Sequence, residues 1–410
     1  MFVSRGAFPS CSPFSSLLHE FRDTTMRYLI DGCYGDGNVG DEALLQAVRH
    51  LILRHDPDAV IRAMSANPAE TELMHGVPSL LQTNPFGLGF YGAVCKRQLL
   101  HIVRAIRWAD CFVLGGGELF RDDVGVRSTV GMFYRLFLAS AFDKRLIALG
   151  VGAQLPTTWF GRVFLKAAMN RIQELVFRDQ QSASIAEHMR LHETRIRICS
   201  DLVLTEVSRF APALETKHPR DADAPLTVCV ALKALPRTHP FTTKCSEAAL
   251  VSYVTEGLRR LASQRTLAAT VLVFAKADLA LAEALGASLS ASGAIVSYER
   301  SGQTGRLAVT IRAADLVIAM PLHASVFAFG LGVPVVGIDY DHKVRKLYDR
   351  FDAGRSCLAP PAVRGDSLSR ACQAVLDAAP SFRLAMECRI RDETRIVEQL
   401  ASDLFARIAT

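Results

Sequence analysis

The stretch Ala314-Asp315-Leu316-Val317-Ile318-Ala319-Met320-Pro321-Leu322-His323-Ala324-Ser325, with Gly332-Val333-Pro334-Val335-Val336-Gly337-Ile338-Asp339-Tyr340-Asp341-His342-Lys343 beyond it, decides the fold of this chain. Residues 316–320 are an apolar run of strand length. Pro321 suits a first helical position, where its missing N–H costs nothing. Gly332 suits the left-handed end of that helix, and Pro334 forbids its continuation. A second buried strand and a polar turn follow. His323 therefore falls in a first helical turn just past the carboxyl end of a strand, where open α/β sheets bind ligands. Free N–H groups and the helix dipole favour an anion there.

Outward from this stretch the same alternation fills the chain. Strands are expected at 27–31, 59–64, 109–114, 145–150, 174–177 and 196–199, then at 226–232, 270–275 and 294–298, with helices between them. Such repetition means parallel, doubly wound sheets. Between the two series, residues 207–224 lose apolar periodicity and gain prolines and charges, as a linker does. With 410 residues, two domains of roughly 150–200 residues are the natural division. The expected organisation is a disordered leader over 1–25 and a first Rossmann-like domain over 26–206. A linker over 207–224 and a second Rossmann-like domain over 225–410, closed by a helix at 386–407, complete it. The two domains are expected to face each other across a cleft.

Several glycines lie at strand ends. Gly35, Gly37 and Gly40 spell GxGxxG between a strand and a helix, but no acid stands at the tip of the next strand, as a dinucleotide site requires. The better reading is a turn whose amides approach an anionic or polyhydroxy ligand. Gly115-Gly116-Gly117-Glu118, after another strand, implies a second close approach of backbone to ligand. Asp179 reads as an N-cap, which leaves Arg178 at a strand tip on the same side.

The bulk properties narrow the class. A net charge of +6 favours anionic ligands or an anionic surface but is too mild for nucleic acid. The ten cysteines form no CxxC pair, as reduced thiols in a cytosolic protein would not. No run of about 18 apolar residues is present to span a membrane. The helix at 97–108 carries Arg97, Arg104 and Arg107 on an apolar body. It is either simply packed or a peripheral contact with the inner face of a membrane.

The ensemble resembles the polysaccharide pyruvyl transferase family. The resemblance rests on Gly35-x-x-Asn38-x-Gly40-Asp41-Glu42-Ala43, Leu114-Gly115-Gly116-Gly117, Gly150-x-Gly152, Arg178-Asp179-x-x-Ser182 and Asp201. It continues with 314–317, Leu322-His323-Ala324, Gly332-Val333-Pro334 and Tyr340-Asp341-x-Lys343. It implies a GT-B-like pair of domains and transfer of the enolpyruvyl group of phosphoenolpyruvate to a sugar, free or lipid-linked, of a cell-surface polysaccharide. It assigns His323 as the acid/base, with Arg178, Lys343, Lys233 and Leu322 at the donor. Gly35, Asn38, Asp41, Glu42, Gly116, Gly117 and Glu118 fall on the acceptor side. Phosphoenolpyruvate is then a substrate, and neither cofactor nor metal is expected, no His/Asp/Glu cluster having ligand spacing.

Where the family carries an arginine two residues before the histidine, this chain has Pro321. Proline brings neither charge nor donor, and Arg345, Lys233 or Arg121 are the candidates to replace that cation. Two other readings stay open: a GT-B-like transferase with another donor such as a nucleotide sugar, gripped through Asp339 or Asp341, and a non-catalytic sugar-binding relative.

Overall fold

The computed structural model describes residues 25–82, 92–123, 125–192, 194–210, 224–263 and 266–409. The expected leader (1–24 of it), most of the expected linker (211–223) and the Pro- and Gly-rich 83–91 lie outside them.

Two parallel sheets carry the fold. The first contains β1 (Arg27–Asp31), β2 (Val60–Ser65), β3 (Ser79–Leu81), β4 (Cys111–Phe120), β5 (Arg145–Ala153), β6 (Glu174–Phe177) and β7 (Arg195–Ile198), in the order β3-β2-β1-β4-β5-β6-β7. Its helices are α1 (Val39–His55), α2 (Pro68–His75), α3 (Gly92–Trp108), α4 (Val126–Ala141), α5 (Trp159–Met169), α6 (Gln180–His188) and α7 (Leu202–Ser208). The second sheet runs β10-β9-β8-β11-β12-β13. Its strands are β8 (Leu226–Ala231), β9 (Leu267–Leu272), β10 (Ile295–Glu299), β11 (Leu316–Ala319), β12 (Val335–Ile338) and β13 (Cys357–Leu358). Helices α8 (Glu247–Leu261), α9 (Leu279–Ala291), α10 (Thr304–Ala313), α11 (Leu322–Gly330), α12 (His342–Arg350) and α13 (Gly365–Asp377) cover it, and α14 (Ala379–Ala409) ends the chain. The result is two α/β domains of GT-B type. Strands buried on both faces, such as Val335–Ile338 and Leu316–Ala319, read as unbroken apolar runs for that reason.

Alternating side chains of β1 enter different cores: Tyr28 and Ile30 on one face, Leu29 on the other. The Leu29 face is covered by α3 to α6. The Tyr28 face continues through α1 and α7 into α11 of the second half. Helix α11 lies along α7 closely enough that a Cβ on Gly330 would stand 3.0 Å from Val207. Phe327 and Phe329 are fully buried in this joint core, each contributing roughly 1.5–3 kcal/mol of burial. The two halves are thus welded, not merely tethered.

Several elements differ from the sequence expectation. Pro321 is the N-cap of α11, in extended backbone with its carbonyl accepting from Ala324, so Leu322 opens the helix. Strand β4 runs on through the three glycines to Phe120, because Gly116 and Gly117 at positive φ and a register shift after Gly117 let it bend without ending. Strand β9 lies three residues earlier than the apolar run 270–275 suggested. The polar turn at 340–343 opens a helix, α12, capped by Asp341. The closing helix packs on α1 and α7 of the first half as well as on α11 and α13 of the second.

Candidate functional site

The carboxyl ends of both sheets meet around His323. The β1–α1 turn comes first, with Gly35 and Gly37 at φ 83° and 70°. A side chain at Gly35 would strike Ser65 Oγ at 2.2 Å, and one at Gly37 the stem of Lys276 at 2.5 Å. Packing demands the first glycine, and the positive φ favours glycine at both. Asn38 caps α1 by accepting from Gly40 N, and Val39 N donates to Phe274 O of the second half at 2.9 Å. Glu42 braces the turn from beneath: Gly35 N donates to one oxygen and His75 Nε2 meets the other, both at 2.7 Å. With both oxygens engaged and the side chain buried, Glu42 points away from the cleft. Gly116 likewise faces Leu44, 2.7 Å from where its Cβ would lie.

Asp41 faces the other way. Its Oδ1 stands 3.8 Å from where a Gly117 Cβ would lie. Burial and then the neighbouring Glu42 push its carboxyl up to about 7, against the pull of Arg178, Lys233 and Lys343. Past the bend in β4, Glu118 takes Lys343 Nζ at 3.3 Å and lies 3.7 Å from Arg121.

Arg178, buried at the tip of β6, rests on Gly152, whose missing side chain leaves 3.3 Å to its Nε and Nη2. It donates to Asp201 Oδ2 at 3.4 Å. Asp201 Oδ1 meanwhile caps α7 through Val203 N. On the opposite wall, His323 occupies the first turn of α11 with Nδ1 only 1.8 Å from where a Cβ on Gly40 would sit. Its Nε2 is 3.7 Å from Asp201 Oδ2, buried, and without a hydrogen-bond partner among the described residues. Burial pushes the imidazole down to about 4. Asp201 opposes the shift, while Arg178, Lys343 and Lys233 add to it. The ring is therefore neutral at physiological pH, with Nε2 nearest the Asp201 carboxylate in a space that Arg178, Lys233 and Lys343 make cationic.

The structure thus brings together His323, Arg178, Lys343, Lys233, Asp41, Gly117 and Glu118, with Leu322 buried beside them. It turns Glu42, Gly35 and Gly116 to packing, and Asn38 to capping. Asp201 was legible only as part of a motif; its position between Arg178 and His323 emerges from the meeting of β7 with α11. Of the candidates to replace the missing arginine, Arg345 is bound to Asp339 and the carbonyls of Gly354 and Cys357. Arg121 is held by Asp123 as well as Glu118. Lys233 alone of the three acts on both Asp41 and His323. Asp341 caps α12 through Lys343 N, and Asp339 pairs with Arg345. Among the described residues no His, Cys, Asp or Glu triplet converges as a metal site, and no helix is long and apolar enough to cross a membrane.

Solved structures with this fold include HepE of Anabaena in complex with UDP and glucose, at 12% identity, TM-score 0.56, and 93% and 98% of the two chains covered. UDP-GlcNAc 2-epimerase from Neisseria meningitidis, bound to UDP-GlcNAc, aligns at 9% identity, TM-score 0.61, over 93% and 99%. A UDP-forming trehalose-phosphate synthase from Burkholderia xenovorans aligns at 8%, TM-score 0.54, over 94% and 99%. These likenesses are of fold alone. No curated protein matches the chain. The model of the polysaccharide pyruvyl transferase family matches residues 38–342, from the cap of α1 to the first residue of α12. The chain belongs to the polysaccharide pyruvyl transferase family, transferases that modify polysaccharides.

Proposed function

We propose that this protein transfers the enolpyruvyl group of phosphoenolpyruvate to a sugar, closing a pyruvate ketal. The observation that carries the reading is the buried, unpartnered Nε2 of His323, 3.7 Å from Asp201 and within the electrostatic reach of Arg178, Lys233 and Lys343. A ligand with both phosphate and carboxylate needs several cations at close quarters. In the free protein Glu118 holds Lys343 and Asp201 holds Arg178, so both cations are positioned before the donor arrives.

The chemistry needs a proton delivered to the methylene carbon, attack of a sugar hydroxyl on the adjacent carbon, and departure of the phosphate. A second hydroxyl then closes the ring, and the net products are ketal and inorganic phosphate. A phosphate beside His323 raises its pKa, turning a neutral imidazole into an acid able to protonate carbon. Asp41, pushed up to about 7, is suited to take the proton of the attacking hydroxyl from the opposite wall. Lys233 takes up the carboxylate role that Pro321 cannot fill.

Pro321 favours one alternative, a nucleotide-sugar donor, which the UDP-bound neighbours make concrete. Incubation with phosphoenolpyruvate and a panel of sugar acceptors tests the choice. Phosphate release with a new ketal methyl signal in the proton spectrum supports pyruvyl transfer. Turnover of UDP-sugars, with phosphoenolpyruvate untouched, overturns it.

A further inference from the structure

Helices α3, α4 and α5 lie side by side, α4 between the other two, on the face of the first sheet opposite α1 and α14. Their 17, 16 and 11 residues contain eight Lys or Arg and not one Asp or Glu. The chain has 47 basic and 41 acidic residues; removing this layer leaves 39 against 41. Arg135 is buried against Asp31, and the cations that the outer face presents include the exposed Arg104, Arg107 and Arg162 and the half-buried Lys166.

Its outer surface is also apolar. Trp159 is 79% exposed, and Leu100, Val126 and Val163 are each more than half exposed. Arg104, Arg107 and Arg162 are exposed among them. On α5, Trp159, Arg162, Val163 and Lys166 share one face at helical spacing, and Leu155 stands exposed just before it. The three helices offer no carboxylate to a partner's cations, and one exposed Trp makes no stack for single-stranded bases. An exposed Trp with aliphatic side chains, and with Arg104, Arg107 and Arg162 beside them, has the composition of a surface that lies in a headgroup region.

We propose that the outer face of α3, α4 and α5 docks on an anionic lipid bilayer. The surface adjoins the cleft. Asp122, just before α4, accepts from the backbone and hydroxyls of Thr157 and Thr158 at the start of α5. Its neighbour Arg121 lies against Glu118, which holds Lys343. A sugar carried on a membrane anchor thus reaches the cleft without leaving the bilayer surface. That last point rests on the sugar-acceptor reading; the docking does not.

The test is flotation of the full chain with vesicles of phosphatidylglycerol and phosphatidylcholine, against phosphatidylcholine alone. The protein is expected to float with the anionic vesicles only, less so in high salt, with a blue shift of tryptophan emission. The chain has two tryptophans, and Trp108 is packed against Arg62, so the shift should vanish in Trp159→Ser. Arg104→Glu with Arg162→Glu should weaken partition by about tenfold or more, with the circular dichroism spectrum unchanged. Equal partition to neutral vesicles, no flotation, or wild-type partition of both variants overturns the proposal. So does a dimer, abolished by Trp159→Ser, that forms without vesicle binding and assigns the face to a second copy.

Discussion

Arg350, the last residue of α12, donates to both carboxylate oxygens of Glu393 on α14, Nε to Oε1 at 3.0 Å and Nη2 to Oε2 at 2.6 Å. The same guanidinium donates to the carbonyls of Arg178 and Cys199 at 3.3 Å and meets Ser200 Oγ at 3.1 Å. One side chain of the second half therefore grips the strand tips that carry Arg178 and Asp201, and α14 holds it in place. Breaking the pair leaves a charge buried without its counterpart. Glu393→Ala should cost about 2–4 kcal/mol in urea unfolding. Arg350→Lys, which keeps the charge but loses the fork, should lower donor affinity more than its stability effect explains. Wild-type stability in Glu393→Ala would show the clamp to be idle.

Gly40 is the floor on which His323 rests. A methyl group there would lie 1.8 Å from Nδ1, and the ring, boxed in by burial, has to turn. Gly40→Ala should reduce transfer by about tenfold or more while costing only about 1–3 kcal/mol of stability. Kinetics alongside a thermal melt distinguishes this from general unfolding. Full activity in Gly40→Ala would place the working position of His323 elsewhere.

The titration of His323 gives a signed test. In the free protein its pKa is pushed down to about 4 from 6.5. The unfolded chain takes up a proton below about pH 6.5 that the folded chain refuses until about pH 4, so stability falls across that window. His323→Gln should remove this part of the acid sensitivity. By NMR the His323 imidazole of the free protein should have no midpoint above pH 5, and donor should move it upward.

Asp41 works in the opposite sense. Its carboxyl is raised to about 7 from 3.8, so its favourable contribution is complete below about pH 4 and lost as pH rises through 7. Asp41→Asn should therefore be more stable than wild type at pH 8, yet equal to it near pH 4, and inactive in transfer. Urea midpoints at the two pH values check this. A loss of stability at pH 8 would mean the carboxylate is better solvated than its surroundings indicate.

Much of this was legible beforehand because buried parallel strands leave strong local signals. The strand and turn residues of 314–343 placed His323 at the mouth of a sheet, and Asp179 caps α6 as its spacing indicated. What escaped was long-range. Glu42 reads as a polar residue in a ligand motif until His75, 33 residues later, takes its second oxygen. The glycines of β4 read as a strand end because an isolated segment does not reveal that pairing with β5 resumes after the register shift past Gly117. The role of Asp201 depends on α11 arriving from the other half. The packed face of α3 answers for Ile102 and Ile106 but not for the exposed Leu100, and the charge of that helix gains meaning only beside α4 and α5.

The most direct test is calorimetric titration of phosphoenolpyruvate into the wild type and into Lys343→Ala, Lys233→Ala and Pro321→Arg. The account predicts saturable wild-type binding, weakened by about tenfold or more in each lysine variant through loss of a charge-assisted contact, and strengthened by Pro321→Arg. No binding to the folded wild type, with or without sugar acceptor, would contradict it and return the cleft to a different donor.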